Sequence, residues 1–105
     1  MATFLIQLHF AENDRHRGEP AWSWTVDRAK ALGIPGATVL RGIAGYGRRG
    51  VLEEGGVFDF APDLPVIVQF VCESDLAARL ESLMAVEGLR VFRLRVPVEL
   101  GWTGQ

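Results

Sequence analysis

At 105 residues, 49% hydrophobic and 23% charged, the chain is long enough for one packed core and too short for two domains. A formal net charge of −2 excludes the basic excess of a general nucleic-acid binder, and the lone Cys72 excludes an internal disulfide framework or a four-cysteine zinc site. No apolar run approaches the ~20 residues that span a bilayer, and Met1–Phe10 does not read as a signal peptide, so one cytoplasmic domain over residues 1–105 is expected.

Thr3–Phe10 alternates, with Phe4, Ile6, Leu8 and Phe10 on one face and Leu5, Gln7 and His9 on the other, which predicts a strand. After the polar stretch Glu12–Glu19, Pro20 suits a first helical turn. Trp22, Val26, Ala29 and Ala31 or Leu32 then recur at helical spacing up to a stop at Gly33. Ala37–Ile43 reads as a second strand that runs into Gly42–Gly50, where four glycines in nine residues preclude a regular interior strand. Val51–Phe60 is ambiguous: Val57, Phe58 and Phe60 suit a ribbon that Gly55-Gly56 would loosen.

Pro65–Cys72 is apolar on both faces and is expected to be a strand covered on both sides, with Cys72 a buried small hydrophobe. Ser74 is the expected N-cap of a helix whose apolar stripe is Leu76, Leu80, Leu83 and Met84, ended by Gly88. In the last strand, Leu89–Val98, Phe92, Leu94 and Val96 alternate with Arg93 and Arg95, and a frayed tail is expected after it. The order β-α-β-loop-β-α-β is that of an α+β, ferredoxin-like βαββαβ sandwich, an antiparallel sheet with two helices on one face. The other face, with Leu5, Val39 or Leu40 and part of Pro65–Cys72, is half apolar, which favours assembly with further copies.

The segment Gly45-Tyr46-Gly47-Arg48-Arg49-Gly50 matches G-x-G-x-x-G, but no helix of useful length follows it, so a dinucleotide fingerprint is rejected. Its exposed N–H groups could still cradle an anion, with Arg41, Arg48 and Arg49 as bidentate phosphate partners; a solvated hairpin tip is the equal alternative. Arg93 and Arg95 share one side of their strand, where a salt-bridged face competes with an anion site. His16, near Glu12 and Asp14, is a candidate metal ligand or acid–base group, although a surface loop explains it more simply. The serines and the pair Glu53-Glu54 fit no catalytic template, and no enzyme is expected.

The segments "DRHRGEPAW", "GIPGATVLRGIAGYG" and "DLPVIVQFV" together resemble the PII-like family known as domain of unknown function 190, over roughly Phe4–Val98. The resemblance implies a trimer related to the PII nitrogen-regulatory and CutA proteins. It further implies a regulatory role in which a small anionic effector, with an adenine nucleotide as one candidate, binds between subunits. A loop at about 45–60 would then dock on a partner such as a membrane transporter or channel. Carried over by position, Arg41, Gly42, Gly45, Gly47, Arg48 and Arg49 form the loop base, with Arg93 and Arg95 in the final strand. The turn Glu87-Gly88 stands where PII proteins carry a longer Gly/Lys phosphate loop. A CutA-like divalent-metal site at His16 is the alternative.

Overall fold

The structure, a computed structural model, describes residues 2–46, 53–54 and 63–104. The readings placed on Gly47, Arg48, Arg49 and Gly50, and on Val57, Phe58 and Phe60, lie outside the described residues.

Strand β1 (Thr3–Ala11) buries its alternate residues as its sequence dictates: Ile6, Leu8 and Phe10 are buried, while Leu5, Gln7 and His9 point the other way. A short hairpin follows, β2 (Arg15–His16) and β3 (Glu19–Pro20). Its two turn residues, Arg17 and Gly18, sit at φ 51° and 81°, the positive values that a two-residue type I′ turn requires.

Helix α1 (Ala21–Ala31) follows directly, with Pro20 as its N-cap residue. Its buried residues are Ala21, Trp24, Thr25 and Ala29, so Trp24 enters the core while Trp22 and Val26 pack at its margin. The wholly buried Thr25 hydroxyl donates to the Ala21 carbonyl at 2.9 Å, which leaves no unpaired donor there. Gly33, at φ 91°, ends the helix: its N–H reaches the Lys30 carbonyl and the Ile34 N–H reaches that of Ala29, a Schellman motif.

Strand β4 (Thr38–Arg41) leads into a small ribbon of β5 (Ala44–Gly45) and β6 (Glu53–Glu54). Strand β7 (Pro65–Glu73) then buries Val66, Val68, Phe70 and Cys72. Burial pushes the Cys72 thiol up in pKa, which suits its reading as an inert small hydrophobe. Helix α2 (Ser74–Val86) closes with the same Schellman pairing, Gly88 to Ala85 and Leu89 to Met84. Glu73, not Ser74, is its N-cap residue, and no side chain caps it. Ser74 is instead the first helical residue, and its carbonyl and hydroxyl oxygens lie 3.3 and 3.4 Å from Arg95 Nη2. The last strand, β8 (Phe92–Pro97), is shorter than its sequence pattern suggested.

The main sheet has order β4-β7-β1-β8 with every neighbour antiparallel, the ferredoxin-like arrangement. Both helices pack against one face, over a core of Ile6, Leu8, Val66, Val68, Phe70, Trp24, Leu80 and Met84. Register assigns the other face. Leu5 sits opposite Val71 and Val96, Gln7 opposite Gln69 and Leu94, His9 opposite Ile67 and Phe92, and Leu40 opposite Ile67. That face is mostly apolar, interrupted by His9, Thr38 and a Gln7–Gln69 hydrogen bond of 3.1 Å, and Phe92, Leu94, Val96 and Leu40 remain exposed on it. Of the two candidates in β4, Leu40 is on this open face and Val39, opposite Val68, is on the helix side.

Candidate functional site

The base of the glycine-rich loop is held by close backbone contact. The Gly42 N–H donates to the Pro65 carbonyl at 2.7 Å, where the chain leaves β4 and passes over the start of β7. A Cβ on Gly42 would lie 2.6 Å from Pro65 Cγ, and one on Gly45 would lie 3.0 Å from it. Both glycines therefore have a packing reason: only a bare backbone lets this crossing sit flush on the proline ring. Ile43 and Tyr46, beside them, project into solvent.

Arg41 makes a bidentate ion pair with Glu12, Nε to Oε1 at 2.8 Å and Nη2 to Oε2 at 3.1 Å. The pair ties the loop base to the corner after β1, which is itself fastened by Glu12 N–H to the Leu64 carbonyl and Asn13 N–H to Asp63 Oδ1, both at 2.8 Å. Arg41 is still 58% exposed along its side chain, so its guanidinium keeps donors turned to solvent.

Arg93 and Arg95 do share a side of β8, the side that faces α2. Arg93 Nε donates to Glu81 Oε1 at 2.7 Å. Arg95 lies over the Phe4 ring at 4.9 Å and reaches the first turn of α2, leaving its Nε buried without a partner. Next to Arg93, a cleft of about 340 Å³ opens between the end of α2 and the approach to β8; the apolar Leu8, Met84, Leu89 and Val91 line it together with the charged Glu81, Arg90 and Arg93. Arg90 makes no ion pair with any described residue.

The structure thus separates the two candidate groups. Arg41, Gly42 and Gly45 sit at the β4 edge of the sheet, and Arg93 and Arg95 at the β8 edge, with β7 and β1 between. Three strand spacings amount to ~14 Å, too far for one phosphate to bridge within a chain. Gly47, Arg48 and Arg49 lie outside the described residues.

His16 is not grouped with Glu12 and Asp14. Its Nε2 lies 2.9 Å from Glu87 Oε1, and its ring meets Trp24 edge-on at 4.6 Å between centroids. Arg17 pairs with both oxygens of the same carboxylate. Two hydrogen-bonding partners, Arg17 first and His16 second, hold the Glu87 carboxyl down at about 2. A carboxylate at the C-cap of α2 opposes the helix dipole, and these two side chains offset it. Sequence reading missed Glu87, because 71 residues separate it from His16 and no local pattern links them. Among the described residues, no three His, Cys, Asp or Glu side chains gather as a metal site, and no helix is long and apolar enough to cross a membrane.

Comparison with known proteins agrees with this geometry. A UPF0166 protein of Aquifex aeolicus is 33% identical over 75 residues, 71% of each chain. Among solved structures, CPII from Thiomonas intermedia K12, a nitrogen regulatory PII-like protein bound to ADP and bicarbonate, superposes with a TM-score of 0.61 at 16% identity, covering 93% of this chain and 89% of that one. CutA1 from Oryza sativa gives a TM-score of 0.54 at 11% identity, covering 96% and 84%. These likenesses establish a PII/CutA-type ferredoxin-like fold, and the match of residues 3–89 to DUF190, an uncharacterized ACR group, places the chain in the domain of unknown function 190 family.

Proposed function

We propose that this protein is a non-enzymatic PII-like regulatory module that binds a small anionic effector between subunits of a homotrimer. The observation that carries the reading is the separation of the candidate groups onto opposite edges of one sheet. A loop base at the β4 edge and arginines at the β8 edge complete one site only when the β4 edge of one copy meets the β8 edge of another. The exposed apolar face supplies a reason to assemble, since covering Leu40, Phe92, Leu94 and Val96 removes apolar surface from water. CPII, whose fold this chain shares, was solved with ADP and bicarbonate, which makes a nucleotide or a small oxyanion the effector class to test first. The loop that continues from Gly45 is the expected contact for a partner protein such as a transporter or channel, and the cytoplasm is the expected location.

A thermal-shift panel with ADP, ATP, AMP, bicarbonate and divalent metals, run beside light scattering, tests this reading. A true effector at 100 times its dissociation constant adds about 2.7 kcal/mol of stability. Stabilisation by one of the anions in a trimeric sample is the expected result. A strict monomer, or stabilisation by metals alone, would overturn the proposal, the latter in favour of a CutA-like metal protein.

A further inference from the structure

Arg41 and Arg93 stand at opposite edges of the sheet and share one feature: each already holds a carboxylate of its own chain. Arg41 gives Nε and Nη2 to the two oxygens of Glu12, at 2.8 and 3.1 Å, and Arg93 gives Nε to Glu81 Oε1 at 2.7 Å. Arg95, on the same side of β8 as Arg93, instead meets the neutral oxygens of Ser74.

The carboxylates are the fixed members of the two pairs. Glu81 sits on helix α2, and the Glu12 backbone N–H is tied to the Leu64 carbonyl at 2.8 Å. Their side chains are each 29% exposed, against 58% for Arg41 and 43% for Arg93. An anion that approaches either arginine therefore meets a guanidinium already neutralised by a tethered acceptor. If it took the remaining donors, two negative charges would share one cation and repel. Exchange avoids this: the incoming oxyanion takes the fork of donors, and the arginine turns away from its glutamate.

We propose that Glu12 and Glu81 are built-in counter-ligands, which an effector must displace from Arg41 and Arg93 in order to bind. A tethered carboxylate competes at an effective concentration on the order of millimolar, so a free anion of the same single charge gains little by replacing it. A phosphate group, with a charge of about −2 and three acceptor oxygens, is the better competitor. The inference rests on the effector site proposed above, and it adds which residues oppose binding there. Exchange at Glu12 also undoes the side-chain tie between the loop base and the corner after β1, while the backbone bonds of Gly42 to Pro65 and of Glu12 to Leu64 stay in place.

Isothermal titration with ADP tests it on Glu12→Gln, Glu81→Gln and the double variant. Glutamine keeps the size of the side chain and removes its charge. Each substitution should tighten ADP binding about threefold, in keeping with the modest worth of an exposed ion pair. The double variant should gain about tenfold, since the two pairs share no partner. Asp27→Asn, an equal charge change at an exposed position of α1, should leave the affinity as it is. Unchanged or weaker binding in either glutamine variant overturns the role of that glutamate and leaves the effector site standing. A gain in Asp27→Asn equal to theirs does the same for both, because net charge then explains the effect. No ADP binding by the parent protein or any variant overturns the counter-ligand role together with ADP as the effector.

Discussion

The two faces of the main sheet are built from the same strands and meet different fates. On the helix side, Ile6, Leu8 and Val68 are at most 2% exposed. On the other side, their chain neighbours Leu5, Ile67 and Val71 are only partly covered, and Phe92, Leu94 and Val96 of β8 stand in solvent. Two-residue alternation made both faces largely apolar, yet the two helices among the described residues cover only one. The helix-covered face determines whether the monomer folds, and the open face is the surface on which the proposed assembly rests.

Opposing substitutions on the two faces should break that pairing most sharply. Val68→Asp places a carboxylate at a fully buried position between the helices and the sheet, and it is expected to cost more than ~4 kcal/mol and unfold the protein in urea titrations. Leu94→Asp, already 41% exposed, should leave the circular-dichroism spectrum unchanged while light scattering reports monomers. If Leu94→Asp keeps the oligomer, the open face is not the assembly surface.

The loop base allows an intermediate test. Gly42→Ala drives a methyl group into Pro65 Cγ and should destabilise by about 1–3 kcal/mol. Pro65→Ala in the same chain should recover much of that loss, since it removes the atom in the way; equal instability of single and double variants would assign the cost to something else.

Glu87 ties the hairpin to α2 with a pH signature. Its folded carboxyl titrates at about 2 against an ordinary 4.5, so its contribution is present above 4.5 and is lost as pH falls toward 2. Glu87→Gln should flatten the stability profile across that window, and an unchanged acid limb would contradict the clamp. The smallest effect belongs to Arg41→Ala. Its exposed ion pair with Glu12 is worth at most ~1 kcal/mol, so the variant should fold normally and lose only effector-induced stabilisation.

Much of the fold was legible because its signals are local. The Phe4, Ile6, Leu8, Phe10 alternation, the doubly apolar Pro65–Cys72 run and the stops at Gly33 and Gly88 each act within a few residues. The hidden features join distant parts of the chain. Gly42 needs its missing side chain because of Pro65, and Glu87 finds His16 only after the hairpin and α2 have packed. Ser74 misled for a related reason: its serine signature suits a cap, but the chain begins the helix one residue early and gives the serine oxygens to Arg95. The arginines of β8 could be assigned to one side of the strand, but not to Glu81 and Ser74 as partners.

Subunit complementation tests the central claim most directly. Arg41→Ala removes the β4-edge contact and Arg93→Ala the β8-edge contact, and neither residue is in the core. With ADP as the probe in isothermal titration, each variant alone should bind far more weakly than the parent protein, and oligomers reassembled from both should regain a fraction of parental sites, because some interfaces then pair two intact edges. Parent-like binding by both single variants, or no recovery on mixing, would contradict a site shared between copies.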